Sequence, residues 1–240
     1  MISKDQPTIF SSPVIVAASS VDNGNMKLGA DEDGSVVVNR QIFLDSIGIS
    51  LDQTTPLSLT YDRDNYTEYR TVTGSEKGKS MHYSEDAPVA DGLVTTKPGH
   101  ALFLTLADCC GVVVHDPVKS VLMLSHIGRH SAEQDGAQRS VEFLQQTCNS
   151  NPNDLKVWLS PAVGKATYPL AKKGGKGLHE VIVEQLLEAG VSRNNIEISS
   201  VDTATDPNYF SHSEFKKGNR EFDGRFAVVA MMRGRGETAS

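Results

Sequence analysis

The chain has no run of about 18 apolar residues, so it offers no membrane-spanning helix and no membrane partner is expected. Its start, Met1 to Val16, has Lys4 as its single base and lacks the apolar middle of a secretory signal, which predicts a cytoplasmic protein. Basic residues are in deficit, with 23 Lys and Arg against 30 Asp and Glu and a net charge of −7. A protein held on nucleic acid by phosphate contacts needs a basic face, so no nucleic-acid partner is expected. A local basic pocket for a small anion is compatible with this balance. Cysteines number three, two of them adjacent (Cys109, Cys110), which excludes a disulfide framework. Cys148 lies in a helical-looking stretch and reads as a structural thiol. No Ser-, Pro- or Gly-rich linker divides the middle, and 240 residues can close around one core.

What is present is an alternation of strand-like and helix-like segments. Residues 12–18, 57–61, 102–106, 112–114, 121–124, 156–159, 196–201 and 225–231 are short apolar or β-branched runs and predict strands. Residues 37–47, 132–147 and 178–189 carry apolar residues at helical spacing, with Gly48 and Gly190 as stops. Residues 61–86, rich in Asp, Glu, Thr, Gly and Ser, predict loop or edge structure, and the last residues a frayed tail. The alternation predicts an α/β fold.

Two reactive residues fall at the ends of neighbouring predicted strands. Ala107-Asp108-Cys109-Cys110-Gly111 separates runs 102–106 and 112–114, and run 121–124 ends in Ser125-His126-Ile127-Gly128. A thiolate and an imidazole suit zinc or form a nucleophile–base pair. A small core cysteine and a hydrogen-bonded core histidine are equally compatible with the spacing. His100, His115 and His179 read as structural or surface residues. The Lys172–Lys176 stretch lacks the Walker pattern and reads as a solvated loop.

A longer ordered pattern is carried by Met26-Lys27-Leu28-Gly29, Asn39-Arg40, Val89-Ala90-Asp91-Gly92-Leu93-Val94-Thr95, Leu106-Ala107-Asp108-Cys109 and Ser125-His126-Ile127-Gly128. It continues in Trp158-Leu159-Ser160-Pro161-Ala162-Val163-Gly164, Phe210-Ser211-His212 and Gly224-Arg225-Phe226-Ala227. In this order the segments resemble the YfiH-type laccase-domain family over roughly residues 12–232. The resemblance implies one layered α/β/β/α domain with mixed sheets across 1–240, related to toxin deamidases that use a Cys–His pair.

It further implies an enzyme of purine nucleoside phosphorolysis, acting on adenosine or inosine with phosphate, and adenosine deamination beside it. The family's zinc is held by His, Cys and His. The second and third carry over to Cys109 and His126, which are also the expected catalytic residues. The first falls on Thr73, in Thr71-Val72-Thr73-Gly74, and Thr is a poor zinc ligand. His130, four residues after His126, and His82 are the candidate replacements, and His130 is taken as the third ligand. On this alignment Thr73→His should raise zinc occupancy. Arg225 and Asn39 are the expected substrate contacts, Arg225 as a cation for phosphate; Asn39 is also a plausible helix cap and Arg40 a solvated surface residue. A metal-free Cys–His hydrolase and a silent binding protein stand as alternatives. Copper oxidation is the least supported, because the chain lacks the several His clusters that copper centres require.

Overall fold

A computed structural model describes residues 5–11, 14–29, 34–82 and 87–234. Residues 12–13 of the first predicted strand, 83–86 of the predicted loop and the tail from 235 lie outside them. Two mixed sheets form the centre. The first has the order β1 (Val14–Ala18), β10 (Phe226–Met232), β5 (Ala101–Leu106), β2 (Thr54–Pro56). The second runs β3 (Tyr69–Thr71), β4 (Gly92–Thr95), β7 (Val121–Ile127), β6 (Cys110–Asp116), β8 (Lys156–Leu159), β9 (Ile196–Ile198). β2 pairs parallel with β5, β3 with β4 and β8 with β9, and the other pairs are antiparallel.

Strand periodicity explains the layering, because alternate residues point to opposite faces. Phe226, Val228, Ala230 and Met232 of β10 join Val113, Leu122 and Leu124 of the second sheet in a cluster between the sheets. Ala227, Val229 and Met231 face outward onto Phe43 and Leu44 of α1 (Ser35–Asp45). The outer face of the second sheet, with Val112, Val114 and Met123, packs on α3 (Gly136–Cys148) and α4 (Leu178–Glu188). Strands apolar on both faces therefore mark the two inner layers of an α/β/β/α arrangement, each buried Val or Leu contributing about 1.5–3 kcal/mol of transfer free energy. No helix among the described residues is long and apolar enough to cross a membrane.

Several expectations shift. Strand 57–61 is not formed: pairing with β5 ends as Leu57 N–H donates to the Phe103 carbonyl (2.8 Å), and Ser58 then makes an isolated bridge to Val89, in the segment leading into β4 of the other sheet. The segment thus passes between sheets. The helix predicted at 132–147 divides into α2 (Arg129–Glu133) and α3 because Asp135 adopts a left-handed conformation, φ 59°. β4 and the five-residue α5 (His212–Lys216) are too short to show a period. Arg40 is not solvated but 2% exposed, its guanidinium donating to the carbonyls of Met26 (3.3 Å), Met81 (2.7 Å) and Lys27. Carbonyl acceptors let a charge stay inside.

His100 is a buried titrating group of this framework. Its Nε2 lies 2.7 Å from Thr55 Oγ1, which donates to the Glu76 carbonyl at 3.0 Å, and Nδ1 has no partner. The neutral ring with its proton on Nε2 satisfies this chain. Burial first, and Lys77 second, push it down to about 4. The unfolded ring takes up its proton near 6.5, so the unfolded state binds more protons between about 6.5 and 4, and stability falls as pH drops through that window. We expect the melting temperature of His100→Gln to fall less steeply from pH 7 to 4.5 than that of the wild type. Parallel curves would contradict this assignment.

Candidate active site

The passage from β5 to β6 carries the chain from one sheet to the other through Ala107-Asp108-Cys109. Asp108 turns it at φ 80°, a region that Asp tolerates better than most side chains. Its carboxylate accepts from Thr203 Oγ1 (2.9 Å) and the Ser213 N–H (2.7 Å), and its carbonyl accepts from the Val163 N–H (2.8 Å). Cys109 is thereby set against the cluster between the sheets, whereas Cys110 packs on the opposite face under α3 and α4.

β7 continues past the expected end at Leu124 to Ile127, so His126 lies within a strand. It shares the parity of Leu122 and Leu124 and faces the same inter-sheet layer. The His126 N–H donates to the Asp91 carbonyl at 2.8 Å. The Asp91 carboxylate accepts from Arg63 Nη2 (2.8 Å) and the Glu68 N–H (2.9 Å), fastening the 61–68 loop beside the histidine. A Cβ at Gly128 would stand 2.8 Å from Cys109 Sγ and 3.2 and 3.5 Å from Cε1 and Nε2 of His126. Thiol and imidazole thus converge over this glycine, which must lack a side chain for both to fit.

Burial first, and Asp108 second, push the Cys109 thiol up to about 12 against the pull of Arg225 and Arg129. Burial, helped by Arg63, pushes His126 down to about 4. Both are uncharged near neutrality.

A cleft of about 660 Å³ opens at this end of the inter-sheet layer. Cys109, His126 and Gly128 line it, and so do the cations Lys27, Arg129, Lys216 and Arg225. An acidic chain therefore gathers positive charge here. Tyr61 and Tyr66 line it as well, with Tyr66 stacked on His130 at 4.6 Å between ring centres.

The other expected site residues separate. Arg225 reaches the cleft, but its Nη1 donates to Asp223 Oδ1 (2.6 Å) and to the Asp223 (3.3 Å) and Gly224 (2.8 Å) carbonyls. Much of its hydrogen-bonding capacity is spent within its own loop. Asn39 sits on α1 and holds the preceding turn, donating to the Asn25 carbonyl at 3.1 Å and filling the space a Cβ at Gly24 would need. It supports the segment bearing Lys27 and is not among the residues lining the cleft. His130 lines the cleft, yet α2 begins only at Arg129, so no helical i, i+4 relation links it to His126. His82 is exposed and outside the cleft lining.

Thr73 is far from this point. Thr71 pairs with Val94 and Val94 with Met123, so Thr73 stands about five strand positions from the level of His126, roughly 16 Å at 3.3 Å per residue. Its hydroxyl accompanies Ser75 (2.8 Å) and Glu76 (3.0 Å) at the start of the turn 74–76. Among the described residues no group of three or more His, Cys, Asp and Glu side chains is placed to hold a metal ion. Cys109 and His126 alone fall short of the three protein ligands of a catalytic zinc site and of the His clusters of copper centres.

The sequence reading did not single out Lys27, Lys216, Tyr61, Tyr66 or Asp223. Lys27 lies inside the Met26-Lys27-Leu28-Gly29 segment, but isolated surface-type residues carry no periodic signal.

Fold and site together define a two-sheet α/β protein with a thiol and an imidazole at the open end of its inter-sheet layer. Residues 15–176 and 171–233 match the family described as multi-copper polyphenol oxidoreductase laccase, and the chain belongs to that family. It is 23% identical over 207 residues to the purine nucleoside phosphorylase YlmD of Bacillus subtilis, spanning 76% of this chain and 73% of that protein. A purine nucleoside phosphorylase of Xylella fastidiosa is 27% identical over 167 residues, spanning 60% of this chain and 61% of its own length. Among solved structures, YlmD of Geobacillus stearothermophilus superposes with a TM-score of 0.82 at 22% identity, over 93% of both chains. YfiH of Bacillus licheniformis superposes with a TM-score of 0.79 at 22% identity, over 92% and 93%.

The register of β3 reverses one expectation. Thr73→His should leave bound zinc unchanged in elemental analysis of purified protein, because the new imidazole lies at the far end of the sheet. A rise toward one zinc per chain would overturn this placement.

Proposed function

We propose that the protein is a purine nucleoside phosphorylase that cleaves inosine or adenosine with inorganic phosphate. The convergence of Cys109 and His126 over Gly128, inside a cation-rimmed cleft of an acidic protein, carries this reading. The names borne by the Bacillus and Xylella relatives support the substrate class.

Phosphorolysis asks little covalent work of a protein. A phosphate oxygen bonds to the anomeric carbon while the bond to the purine nitrogen breaks, its electron pair leaving with the base. Catalysis consists of holding the anion, aligning it and stabilising the departing ring. Lys27, Arg129 and Lys216 supply positive charge for phosphate, with Arg225 contributing what Asp223 leaves. Cys109 and His126, both uncharged, form the dry wall against which the reacting atoms are positioned.

The reading routes no step through a metal and does not extend to deamination, which needs metal-activated water and a more complete ligand set. Nor does it favour a Cys–His hydrolase: that chemistry needs an activated thiolate, and burial keeps this thiol protonated.

Incubation with nucleoside and phosphate should release free base, followed by chromatography. Cys109→Ala and His126→Ala should each lower kcat by about 100-fold or more, because the reacting atoms lose their alignment against that wall, while the melting temperature stays within a few degrees. Lys216→Ala should raise the KM for phosphate by about tenfold, the loss of one charge-assisted contact. Absence of free base from the wild type, with and without added zinc, would overturn the proposal.

A further inference from the structure

His212 in the cleft lining pairs with Asp223, and phosphorolysis as described leaves both without a role. His212 opens α5 and lines the cleft. Its Nδ1 lies 2.8 Å from Asp223 Oδ1, and the same oxygen accepts from Arg225 Nη1 at 2.6 Å. Among the described residues this is the one hydrogen-bonded carboxylate–imidazole pair. Both halves are anchored. The Ser211 hydroxyl accepts from the Glu214 N–H (3.3 Å), capping α5, and the Ser213 N–H donates to the Asp108 carboxylate (2.7 Å). The start of α5 is therefore tied to the turn that presents Cys109. A Cβ at Gly224 would fall 2.3 Å from Phe210 Cε1, so the 223–225 loop is seated directly on that ring.

Burial alone would raise the Asp223 carboxyl, but hydrogen bonds from Arg225 and His212 outweigh it and hold it at about 2. The carboxylate is ionised at every working pH. An ionised carboxylate on Nδ1 fixes the tautomer and leaves Nε2 as the ring nitrogen free for a ligand. That nitrogen is the one from which an acid catalyst would hand over a proton.

We propose that His212, oriented by Asp223, is the catalytic acid that protonates the departing purine. The inference rests on the phosphorolysis reading above. As the phosphate oxygen bonds to the anomeric carbon, the glycosidic electron pair passes into the purine, and the purine takes the proton from Nε2. His212 is left neutral with Nδ1–H still on Asp223, and regains its proton from water when the products leave. Arg225 acts through Asp223, so its main task is to keep that carboxylate charged and in place, and Asp223 is a positioning residue.

A leaving-group comparison tests this. Inosine must gain a proton for its base to depart, whereas 7-methylinosine releases an already alkylated base that needs none. His212→Gln should lower kcat on inosine by about 100-fold or more with KM within about threefold, and should leave kcat on 7-methylinosine within about threefold of wild type. Asp223→Asn should lower kcat on inosine about tenfold and spare 7-methylinosine; it carries the same test should His212→Gln fail to fold. Equal losses on both nucleosides, or no loss on inosine, would overturn the assignment of His212 while leaving phosphorolysis standing. A wild type that cleaves neither nucleoside would instead overturn the phosphorolysis reading, and this proposal with it.

Discussion

Asp108 carries the constraint on which the site depends. The chain must leave the first sheet after β5 and enter the second at β6 within three residues, and it does so through a left-handed turn. For a residue with a Cβ such a conformation costs on the order of 1–3 kcal/mol. The carboxylate offsets that cost by accepting from Thr203 and Ser213 while the carbonyl accepts from Val163. Those partners come from three distant segments. One turn therefore joins the crossing between sheets, the segment after β8 and the start of α5, and with them the positions of Cys109 and His212.

Around this anchor the space is set by what is missing from side chains. Gly128 leaves room for the Cys109 thiol and the His126 ring, and Gly164 leaves room for Asp202, whose carboxylate accepts from the Gly164 N–H at 2.9 Å. Charge is distributed with similar economy. Asp91 and Asp108, the two acids lining the cleft, have their carboxylates engaged in hydrogen bonds, by Arg63 and Glu68 in one case and by Thr203 and Ser213 in the other. Lys27 and Lys216 remain to face an anion.

The inner layers were legible in the sequence because strands buried on both faces read as continuous apolar runs. Run 156–159 coincides with β8, and 102–106 and 178–189 come within a residue of β5 and α4. The Ala-Asp-Cys and Ser-His-Ile-Gly segments pointed to the residues that converge. Other features resisted for identifiable reasons. Arg40 looked solvated because the carbonyls that receive it lie up to 41 positions away in the chain. Thr73 was aligned by a short Thr-Val-Thr-Gly likeness, whereas its location is decided by the register of β3 on β4. Asn39 was drawn into the site by motif proximity, and its contacts show a support for the Lys27 segment.

In the proposed enzyme one cleft, lined by Cys109, His126 and His212, holds both a nucleoside and an anion. A crystal structure of the wild type soaked with inosine and sulfate, an unreactive stand-in for phosphate, tests it most directly. The expected density places the purine and ribose against Cys109, His126 and His212, with the anion among Lys27, Lys216 and Arg129. Nucleoside bound elsewhere, or a cleft without ligand density at saturating inosine, would contradict it.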